Sequence, residues 1–562
     1  MDDMKTAVDA LAAQVKRFHA RQQPFRIYHG STNSTRQSQH HAHNTISTAD
    51  LNHVLHVNEV TQTVTVEPNV PMDALVAATL EHGLVPLVVM EFPGITAGGG
   101  FSGTSGESSS FRHGFFDATV LQIEIVIPNG EIRSASPTGP AADLFWGAAS
   151  AFGTLGVVTM LEIQCRRALP FVELTYLSTA SMSEAMDTIR ASTADPTIEY
   201  LDGIVYAKDH IVICAGKLTD TLPTATATSP ATSPATAPIQ QFTRPHDPWF
   251  YLHAQARAPR RSSPSTSPNP PSPLKDLIPL QDYLFRYDRG AFWTGRYAYS
   301  YFLTPFTHLT RYLLDNFMHT RVMYHALHQS GLAAQYLIQD VAVPYAATTT
   351  FLDWLDAPAN FGHYPIWLCP LLVRNEGGGL MTTSGRRRPR PNTQATPTPT
   401  TTSTPQDETH TQATAQTPLD QDRDKDEATA AADEDAKYLL NFGLWAPSPH
   451  RGDAFIDHNR RLERKVHALG GKKWLYAHAY YAEAEFWEIY DWERYRGLRE
   501  RYQAAYLPDL WEKVRVRLGE TQGGEGAGWV KWGRGLVGKV WPVRGLYGVW
   551  RAWWGGEYYL KG

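Results

Sequence analysis

The residues best suited to chemistry lie in one stretch, Glu91–Gly114 (EFPGITAGGGFSGTSGESSSFRHG), which holds seven Gly and five Ser. Glycine permits positive φ angles and close approach of a ligand to the backbone, and successive free N–H groups form a concave anion site. Serine and threonine hydroxyls add uncharged hydrogen-bond donors. The apolar segments LVPLVVM and FFDATVLQIEIVI flank the stretch, whereas a flexible linker would lack such flanks. The sequence therefore predicts a loop that binds a phosphorylated cofactor.

Three glycines of this stretch, Gly98, Gly100 and Gly103, also match the dinucleotide fingerprint G-x-G-x-x-G. That fingerprint requires a strand before it and a helix that opens at its end. The residues that follow, GTSGESSSFRHG, have no helical apolar period and contain many poor helix formers. The sequence thus argues against a Rossmann site here.

The composition limits the classes of protein that fit. The 562 residues suffice for about two to four domains, and a net charge of −5 does not favour nucleic acid as a partner. Cys165, Cys214 and Cys369 lie too far apart for a zinc-ligand spacing or a disulfide framework, so we predict no metal site and a reducing compartment. No window of about 18 uncharged apolar residues predicts a transmembrane helix.

The elements around the glycine-rich stretch predict an α+β unit over residues 24–168. A helix begins at Pro71 and ends at Gly83, the usual asymmetry of proline first and glycine last. Asn129-Gly130 is a strong hairpin signal. A short strand also leads into a second small polar loop, Gly30–Arg36, another arrangement typical of an anion site.

Later parts of the chain are ordered blocks separated by low-complexity sequence. Tracts rich in Thr, Pro, Ser and Ala contain too few apolar residues to pack, so we predict that they are disordered insertions. The predicted segments are an amino-terminal helix at 1–23, the α+β unit at 24–168, an α/β unit at 169–372 with insertions at 219–239 and 257–274, a disordered insertion at 373–435, an aromatic-rich block at 436–515, and a tail rich in Trp and basic residues at 516–562.

Several motifs resemble one flavoprotein superfamily. The pattern PGxTAGG from Pro93, continued by Gly103, Gly106 and His113-Gly114, resembles the FAD domain of the vanillyl-alcohol-oxidase/p-cresol-methylhydroxylase (PCMH) flavoproteins. The segment DLFWGAASAFGTLGVVT resembles their second flavin-contacting segment, and GTSGESSSFRHG, YPIWLCP and YAHAYYAEAEFWEIYD with LRERY resemble the delta(24)-sterol reductases. The resemblance covers most of 24–218, 279–372 and 436–515. It implies a PCMH-type FAD-binding domain with an α/β cap domain for the substrate, and a role in sterol biosynthesis.

The resemblance also implies which residues bind FAD. They are Gly30, Ser31, Thr32, Asn33, Ser34, Thr35, Arg36, Thr96, Ala97, Gly98, Gly99, Gly100, Phe101, Ser102, Gly103, Thr104, Ser105, Gly106, Glu107, Ser108, Gly153, Gly156, Val157 and Val158. Some relatives attach FAD covalently through a His within the first loop, and residues 30–36 contain no His. We therefore expect non-covalent FAD. NADPH is the expected reductant, although no second dinucleotide fingerprint locates its contact.

The implied reaction saturates the Δ24 side-chain double bond of a sterol. An isolated alkene needs a hydride donor, a general acid and aromatic faces that stabilise positive charge. A carboxylic acid in an apolar pocket has a raised pKa and can stay protonated. In the segment Tyr476–Asp491 we predict catalytic roles for Glu485, Tyr481 and His478, with Tyr481 and Glu485 on one face of a helix. The alternative is an amphipathic helix with an aromatic core face and solvated acids.

Two other functions remain open at this point. One is an FAD-dependent oxidase or dehydrogenase of an alcohol, sugar or lactone, and the other is a flavin- and sterol-binding scaffold without turnover. The cap segments are rich in Trp, Tyr and Phe, which favours an apolar substrate over a polar one.

The tail suggests how an enzyme of this family could reach a membrane-held substrate. Family members typically carry an amino-terminal membrane segment, which this sequence does not show. Residues 528–562 hold six Trp and six basic residues against one acid, Glu557; Trp favours the membrane interface and basic residues favour anionic lipid. The tail either contacts a membrane in short pieces, because Pro542 and several Gly break it, or packs on a domain. We expect the cytoplasmic face of the endoplasmic reticulum or the cytoplasm, no secretion and no nucleic-acid partner.

Overall fold

The computed structural model describes residues 2–29, 43–220, 239–261, 273–373, 435–516 and 541–554. The predictions for the loop Gly30–Arg36, for most of the three insertions and for the tail at 517–540 and 555–562 concern residues outside this described part.

The first sheet is antiparallel and lies within residues 54–167. Its central strand Val157–Arg167 pairs with Thr63–Val66 on one side and Val120–Val126 on the other. Buried and half-buried residues alternate along this strand, as expected where successive side chains point to opposite faces. The predicted Asn129-Gly130 hairpin is confirmed, because Val120–Val126 and Ile132–Ala135 pair on either side of it. The strands of this sheet are Val54–Asn58, Thr63–Val66, Leu84–Pro86, Val120–Val126, Ile132–Ala135 and Val157–Arg167, and a separate parallel pair joins Arg26–Tyr28 to Thr45–Ser47.

The second sheet has eight strands and is antiparallel at every pair. Its strands, in spatial order, are Leu274–Pro279, Phe171–Thr179, His210–Thr219, Tyr200–Ala207, Ile366–Leu372, Tyr438–Pro447, Tyr336–Pro344 and Lys472–Lys473. The block predicted at 436–515 thus contributes an inner strand to the sheet of the predicted cap. The predicted cap and this carboxy-terminal block are built on one sheet.

Helices surround the two sheets. The α-helices are Asp2–Ala20, Met72–Leu80, Ala97–Gly103, Ser110–His113, Ala142–Ala148, Met182–Ala194, Phe250–Arg257, Leu280–Leu284, Gly295–Tyr301, His308–Leu313, Thr320–Ser330, Thr348–Asp356, Asp453–Ala468, Glu483–Ile489, Trp492–Arg501, Leu510–Val514 and Val543–Trp554, with short 3-10 helices at Phe116–Thr119, Asp315–Phe317, Leu332–Gln335 and Tyr345–Ala347. The helix predicted after Pro71 is confirmed. The Ser181 hydroxyl caps the helix Met182–Ala194 by accepting from the Glu184 N–H at 3.2 Å, as Ser at an N-cap does.

The α+β class predicted from the sequence is confirmed. One large apolar cluster includes buried residues of both sheets, such as Leu161 of the first and Ile204 of the second. Among the described helices, none is both long enough and apolar enough to cross a bilayer.

Candidate flavin and substrate site

The glycine-rich stretch is partly helical. A helix covers Ala97–Gly103, and its N-cap Thr96 accepts a hydrogen bond from the Gly99 N–H at 3.1 Å. The glycines within this helix therefore do not adopt the positive φ angles expected of them. The residue with a positive φ is Thr104, at 54°, where the helix ends. The Thr104 N–H donates back to the Gly100 carbonyl, which is how a left-handed cap closes a helix.

The glycines of this helix differ in what surrounds them. A Cβ atom on Gly98 would lie 2.7 Å from Pro68 Cβ, so glycine is required there by packing within the protein. A Cβ on Gly103 would meet nothing nearer than the Phe152 ring at 3.9 Å. Of these two positions, Gly103 is the one that faces open space within the described structure.

The structure brings the two predicted flavin segments together. The Phe152 N–H donates to the Ser102 carbonyl at 3.3 Å, and the Ser150 N–H donates to the Phe101 carbonyl at 3.4 Å. The hydroxyls of Thr104 and Ser150 also hydrogen-bond to each other. The chain then turns at Gly153 and Gly156, which have φ angles of +76° and +141°. Sequence reasoning had assigned the two segments to one site without evidence that they touch.

The predicted FAD residues differ in accessibility. Thr96, Ala97, Gly100, Phe101, Thr104, Ser108, Gly156 and Val157 are buried, Gly98, Ser102, Gly103, Ser105, Gly106, Glu107, Gly153 and Val158 are half-buried, and Gly99 is exposed. Ser102 and Ser105 are thus half-buried hydroxyl residues on either side of Gly103 in the sequence. Uncharged donors beside unfilled space suit the phosphates of FAD, so the residues present fit this cofactor.

The serines that follow are used inside the protein. Ser108 is 4% exposed, and its hydroxyl is a hydrogen-bond partner of the Glu91 carboxylate. The Ser109 hydroxyl donates to the Leu87 carbonyl at 2.9 Å. The Ser110 hydroxyl accepts from the Glu107 N–H at 2.9 Å. These contacts fix the loop itself, and the contact of the Ser108 hydroxyl with the cofactor stays a prediction.

A buried ion-pair cluster, the Arg286 cluster, joins the start of the loop to the second sheet. The Arg286 guanidinium lies 2.9 Å from carboxylate oxygens of both Glu91 and Asp202. The Tyr287 hydroxyl donates to Asp202 at 2.6 Å, and the Trp367 indole N–H donates to the same carboxylate at 3.1 Å. Burial raises the pKa of Glu91 to about 7, against the lowering effect of the Arg286 charge. The geometry is that of a structural clamp.

A second acid, the half-buried Asp340, lies on the strand Tyr336–Pro344 and has neutral partners. The Tyr476 hydroxyl donates to its carboxylate at 2.5 Å and the Asn441 amide donates at 3.0 Å. Burial raises the pKa of Asp340 to about 6, because low polarity disfavours the charged form. Asp340, Tyr476 and Asn441 are called the Asp340 cluster below.

Trp474 connects the Asp340 cluster to the flavin segment. Its backbone N–H donates to the Asp340 carbonyl at 3.0 Å. Its indole N–H donates to the Thr104 carbonyl at 2.7 Å. Glu107, three residues further along the loop, has a pKa raised well above its ordinary value by burial and by the charges of Glu91 and Asp340. The predicted flavin segment therefore contains one acid with a raised pKa, Glu107, and is joined through Trp474 to a second, Asp340.

Aromatic rings line the same region. Phe92 lies 5.5 Å from Phe292 and 6.2 Å from Tyr324 between ring centres, and Phe292 lies 4.4 Å from Trp445. Phe92, Tyr324 and Tyr476 are half-buried, yet burial raises the pKa values of Tyr324 and Tyr476. These rings form a partly accessible aromatic group, called the aromatic recess below, which we interpret as the candidate substrate pocket.

The environment of Glu485 differs from the predicted apolar pocket. Its carboxylate lies 3.1 Å from Arg460 and 3.4 Å from Arg464, and it accepts from the Ala482 N–H at 2.9 Å. Burial acts to raise the pKa of Glu485, but the Ala482 hydrogen bond and the two arginines outweigh it and leave the pKa lowered. The prediction of a protonated general acid at Glu485 is wrong.

Tyr481 and His478 precede the helix Glu483–Ile489. The prediction that Tyr481 and Glu485 share one face of a helix is therefore wrong. Tyr481 is 7% exposed. The His478 backbone carbonyl accepts from the Gln339 amide at 3.3 Å. The buried ion pair Lys473–Glu463, at 2.5 Å, holds this segment against the helix Asp453–Ala468.

Sequence reasoning missed Asp340. The available signal was a single acid inside the otherwise apolar strand YLIQDVAVP. A carboxylate in such a strand is rarely buried without a partner, but its partners Asn441 and Tyr476 are 101 and 136 residues away. Spacing along the chain could not reveal them.

Comparisons with known proteins agree with the site. A family model described as an FAD binding domain matches residues 6–136. The delta(24)-sterol reductases of Macaca fascicularis and Homo sapiens are each 23% identical to the chain over 472 residues, which cover 83% of this chain and 76% of each relative. The delta(24)-sterol reductase of Arabidopsis thaliana is 27% identical over 342 residues, which cover 58% of this chain and 56% of that relative.

These findings confirm the predicted PCMH-type FAD-binding domain and the predicted class, an FAD-dependent oxidoreductase. They also confirm the resemblance recognised from the sequence motifs: over most of its length the chain is similar to delta(24)-sterol reductases, and it carries an FAD-binding domain.

Proposed function

We propose that this protein saturates the Δ24 side-chain double bond of a sterol, with non-covalent FAD and with NADPH as the reductant. The names of its relatives support the substrate class. The observation that carries the proposal is Asp340, a half-buried acid with neutral partners and a pKa raised to about 6, beside an aromatic recess and the flavin segment. The expected location is the cytoplasmic face of the endoplasmic reticulum or the cytoplasm, with peripheral membrane contact through the tail.

The residues around Gly103 and the turn Gly153–Val158 would hold FAD. Bound and reduced, FAD would supply the hydride equivalent that an isolated alkene needs. Ser102 and Ser105 are half-buried residues with hydroxyl donors, and the segments Thr96–Ser108 and Gly153–Val158 contain no His that could form a covalent bond to it. This supports non-covalent binding.

Asp340 would donate the proton. In its neutral form the carboxyl group gives a proton to the less substituted alkene carbon, and positive charge develops on the more substituted carbon. Tyr476 and Asn441 orient the carboxyl group by their hydrogen bonds. The ring faces of Phe292 and Trp445 stabilise the developing charge. General acid catalysis of this kind contributes typically ~10²–10⁴-fold in rate.

The earlier catalytic assignments change accordingly. Asp340 takes the role first given to Glu485. Tyr481 and His478 stay in the proposal as residues of the short segment that also carries Tyr476, where their backbone positions determine how Tyr476 meets Asp340.

An anaerobic titration tests the function. NADPH added to the holoprotein should bleach the flavin absorbance, and a Δ24 sterol added next should restore it with formation of the saturated product. If only oxygen restores the flavin absorbance, and the protein turns over a sugar alcohol, the protein is the oxidase of the alternative hypothesis. Stoichiometric sterol binding without product would establish the scaffold alternative.

Acid precipitation tests how FAD is held. The yellow colour should stay in the supernatant, because non-covalent FAD is released when the protein unfolds. Colour that remains with the pellet would contradict non-covalent binding.

A further inference from the structure

Large apolar side chains are exposed on two segments that are far apart in sequence. The first segment is residues 301–313, here called the cap loop, and the second is residues 541–554, here called the tail helix. The exposed side chains are Leu303 (74%), Leu309 (64%), Tyr312 (50%), Leu313 (65%), Trp541 (52%), Leu546 (54%), Trp550 (48%) and Trp554 (74%). Scattered exposed leucines are ordinary, but so many on two segments call for an explanation if the segments are neighbours.

The two segments are in contact. The Trp541 indole N–H donates to the Tyr301 carbonyl at 2.7 Å. A Cβ atom added to Gly545 would lie 2.8 Å from the Phe302 ring, so glycine lets the tail helix approach the cap loop closely. The two segments therefore adjoin at residues 301–302 and 541–545, and their exposed apolar side chains together are here called the apolar face.

The exposed charge described on these two segments is positive. Arg551 is exposed, the Arg311 guanidinium packs over the rings of Trp249 and Phe306, and residues 301–313 and 541–554 contain no Asp or Glu. Trp550 and Trp554 lie one helical turn apart, with ring centres 6.0 Å from each other, so they project from the same side of the helix. Tryptophan with arginine is the composition that favours the interface of an anionic bilayer. A contact with a second protein would more often mix both signs of charge.

One helix separates the apolar face from the aromatic recess. The tail helix packs on Thr320–Ser330, where a Cβ on Gly548 would lie 2.6 Å from the Ala326 carbonyl oxygen. Tyr324 of that same helix contacts Phe92 in the recess. The apolar face is thus one helix away from the pocket assigned to the substrate.

We propose that the apolar face is an interfacial binding site for the surface of an anionic lipid bilayer, formed jointly by the cap loop and the tail helix. Each segment alone is short, and membrane affinity grows with the apolar area that enters the interface. Combining them doubles the apolar contact without any membrane-spanning helix. The meaning of this site for substrate uptake rests on the proposed function, since a sterol is held in the bilayer.

The experiment uses the full-length holoprotein and co-sedimentation with vesicles of phosphatidylcholine, with or without phosphatidylserine, at low and high salt. Leu309→Ser with Leu313→Ser alters the cap loop, and Trp550→Ser with Trp554→Ser alters the tail helix. Each pair should lower the partition coefficient at least ~10-fold, because affinity scales with buried apolar area. The matched control, Val60→Ser with Ile239→Ser, removes two exposed apolar side chains elsewhere and should leave binding unchanged.

Each other outcome overturns the proposal. If the protein with both cap-loop substitutions still binds vesicles as the wild type does, the cap loop is not part of the site. If the protein binds equally well to vesicles with and without phosphatidylserine, the negative charge of the bilayer does not contribute to binding. Loss of a dimer in sedimentation equilibrium, with vesicle binding unchanged, assigns the face to a second copy of the chain. Turnover of a detergent-dispersed sterol by the same variants reports on the proposed function separately, because it does not require the bilayer.

Discussion

Two groups of buried or half-buried acids lie on either side of the flavin segment, and they have opposite partners. In the Arg286 cluster a guanidinium lies 2.9 Å from Glu91 and from Asp202 and compensates their charge. In the Asp340 cluster the described neighbours are a phenol and an amide, which donate hydrogen bonds without adding charge. Full or partial burial is common to both groups.

The difference shows how a partner decides what a buried acid can do. A carboxylate paired with a buried cation holds elements together through that ion pair, even though burial raises the pKa of Glu91 to about 7. A carboxyl group with only neutral donors has a raised pKa and can exchange a proton near neutral pH. We therefore assign the Arg286 cluster to architecture and the Asp340 cluster to chemistry.

The largest expected effect comes from removing the cation of the Arg286 cluster. Arg286→Met would leave Glu91 and Asp202 buried without compensation and should lower the free energy of unfolding by ~3–5 kcal/mol. Denaturant unfolding of the holoprotein measures this change. The exposed pair Arg133–Glu131 supplies the control, since Arg133→Met should cost no more than ~1 kcal/mol. Equal effects of the two substitutions would contradict the role of the cluster as a clamp.

Asp340→Asn tests the chemical half of the comparison. The amide keeps the shape but cannot donate a proton to carbon as readily, so kcat should fall ~10²-fold or more, while FAD content and unfolding free energy change little. The control is Asp353→Asn, which alters an exposed acid paired with Lys208.

The pH profile separates a proton donor from a structural acid at this position. Asp340 must be protonated to act, and its pKa is raised to about 6, so kcat should decline as the pH rises through about 6. Asp340→Asn should lack that decline. A wild-type profile that is flat from pH 5 to 8 would exclude Asp340 as the donor.

A smaller effect is expected at Gly103, which lies between the two clusters. Gly103→Ala should lower FAD affinity ~10-fold, or ~1.4 kcal/mol, because the added methyl group enters the space assigned to the cofactor. Gly497→Ala is the control, since its Cβ would meet no protein atom within 4 Å, whereas a Cβ on Gly103 would meet only the Phe152 ring at 3.9 Å. Equal FAD affinity in the two variants would place the cofactor elsewhere.

The smallest effect concerns Ser108, whose hydroxyl is a partner of Glu91. Ser108→Ala removes about one hydrogen bond and should lower the unfolding free energy by ~0.5–1.5 kcal/mol. Visible-absorbance titration should show unchanged FAD affinity, because the hydroxyl already hydrogen-bonds the Glu91 carboxylate. Weakened FAD binding at unchanged stability would reverse this assignment.

Local signals in the sequence predicted local structure. The Asn129-Gly130 turn and the helix after Pro71 depend on backbone preferences of the residues themselves, and both are found. The glycine-rich stretch was harder, because Ala97–Gly103 is helical despite the low helix propensity of its glycines.

The errors in the candidate site come from contacts between distant residues. Glu485 appeared suited to an apolar pocket, but Arg460 and Arg464 of another helix pair with it. Asp340 appeared to be one position in a strand, and only the folded sheet places Asn441 beside it. A pKa depends on such neighbours, and no pattern of spacing reports them.

The strand pairing within the second sheet has a consequence for how the polypeptide must be connected. Ile366–Leu372 and Tyr438–Pro447 are adjacent antiparallel strands, and Leu372 lies opposite Tyr438. Leu372 and Tyr438 are thus neighbours in the sheet although residues 373–437 separate them in the sequence. Pairing of the two strands, rather than the connecting residues, holds them next to each other. Two separately expressed polypeptides, divided within residues 374–434, should therefore reassemble through this strand pair into one flavoprotein.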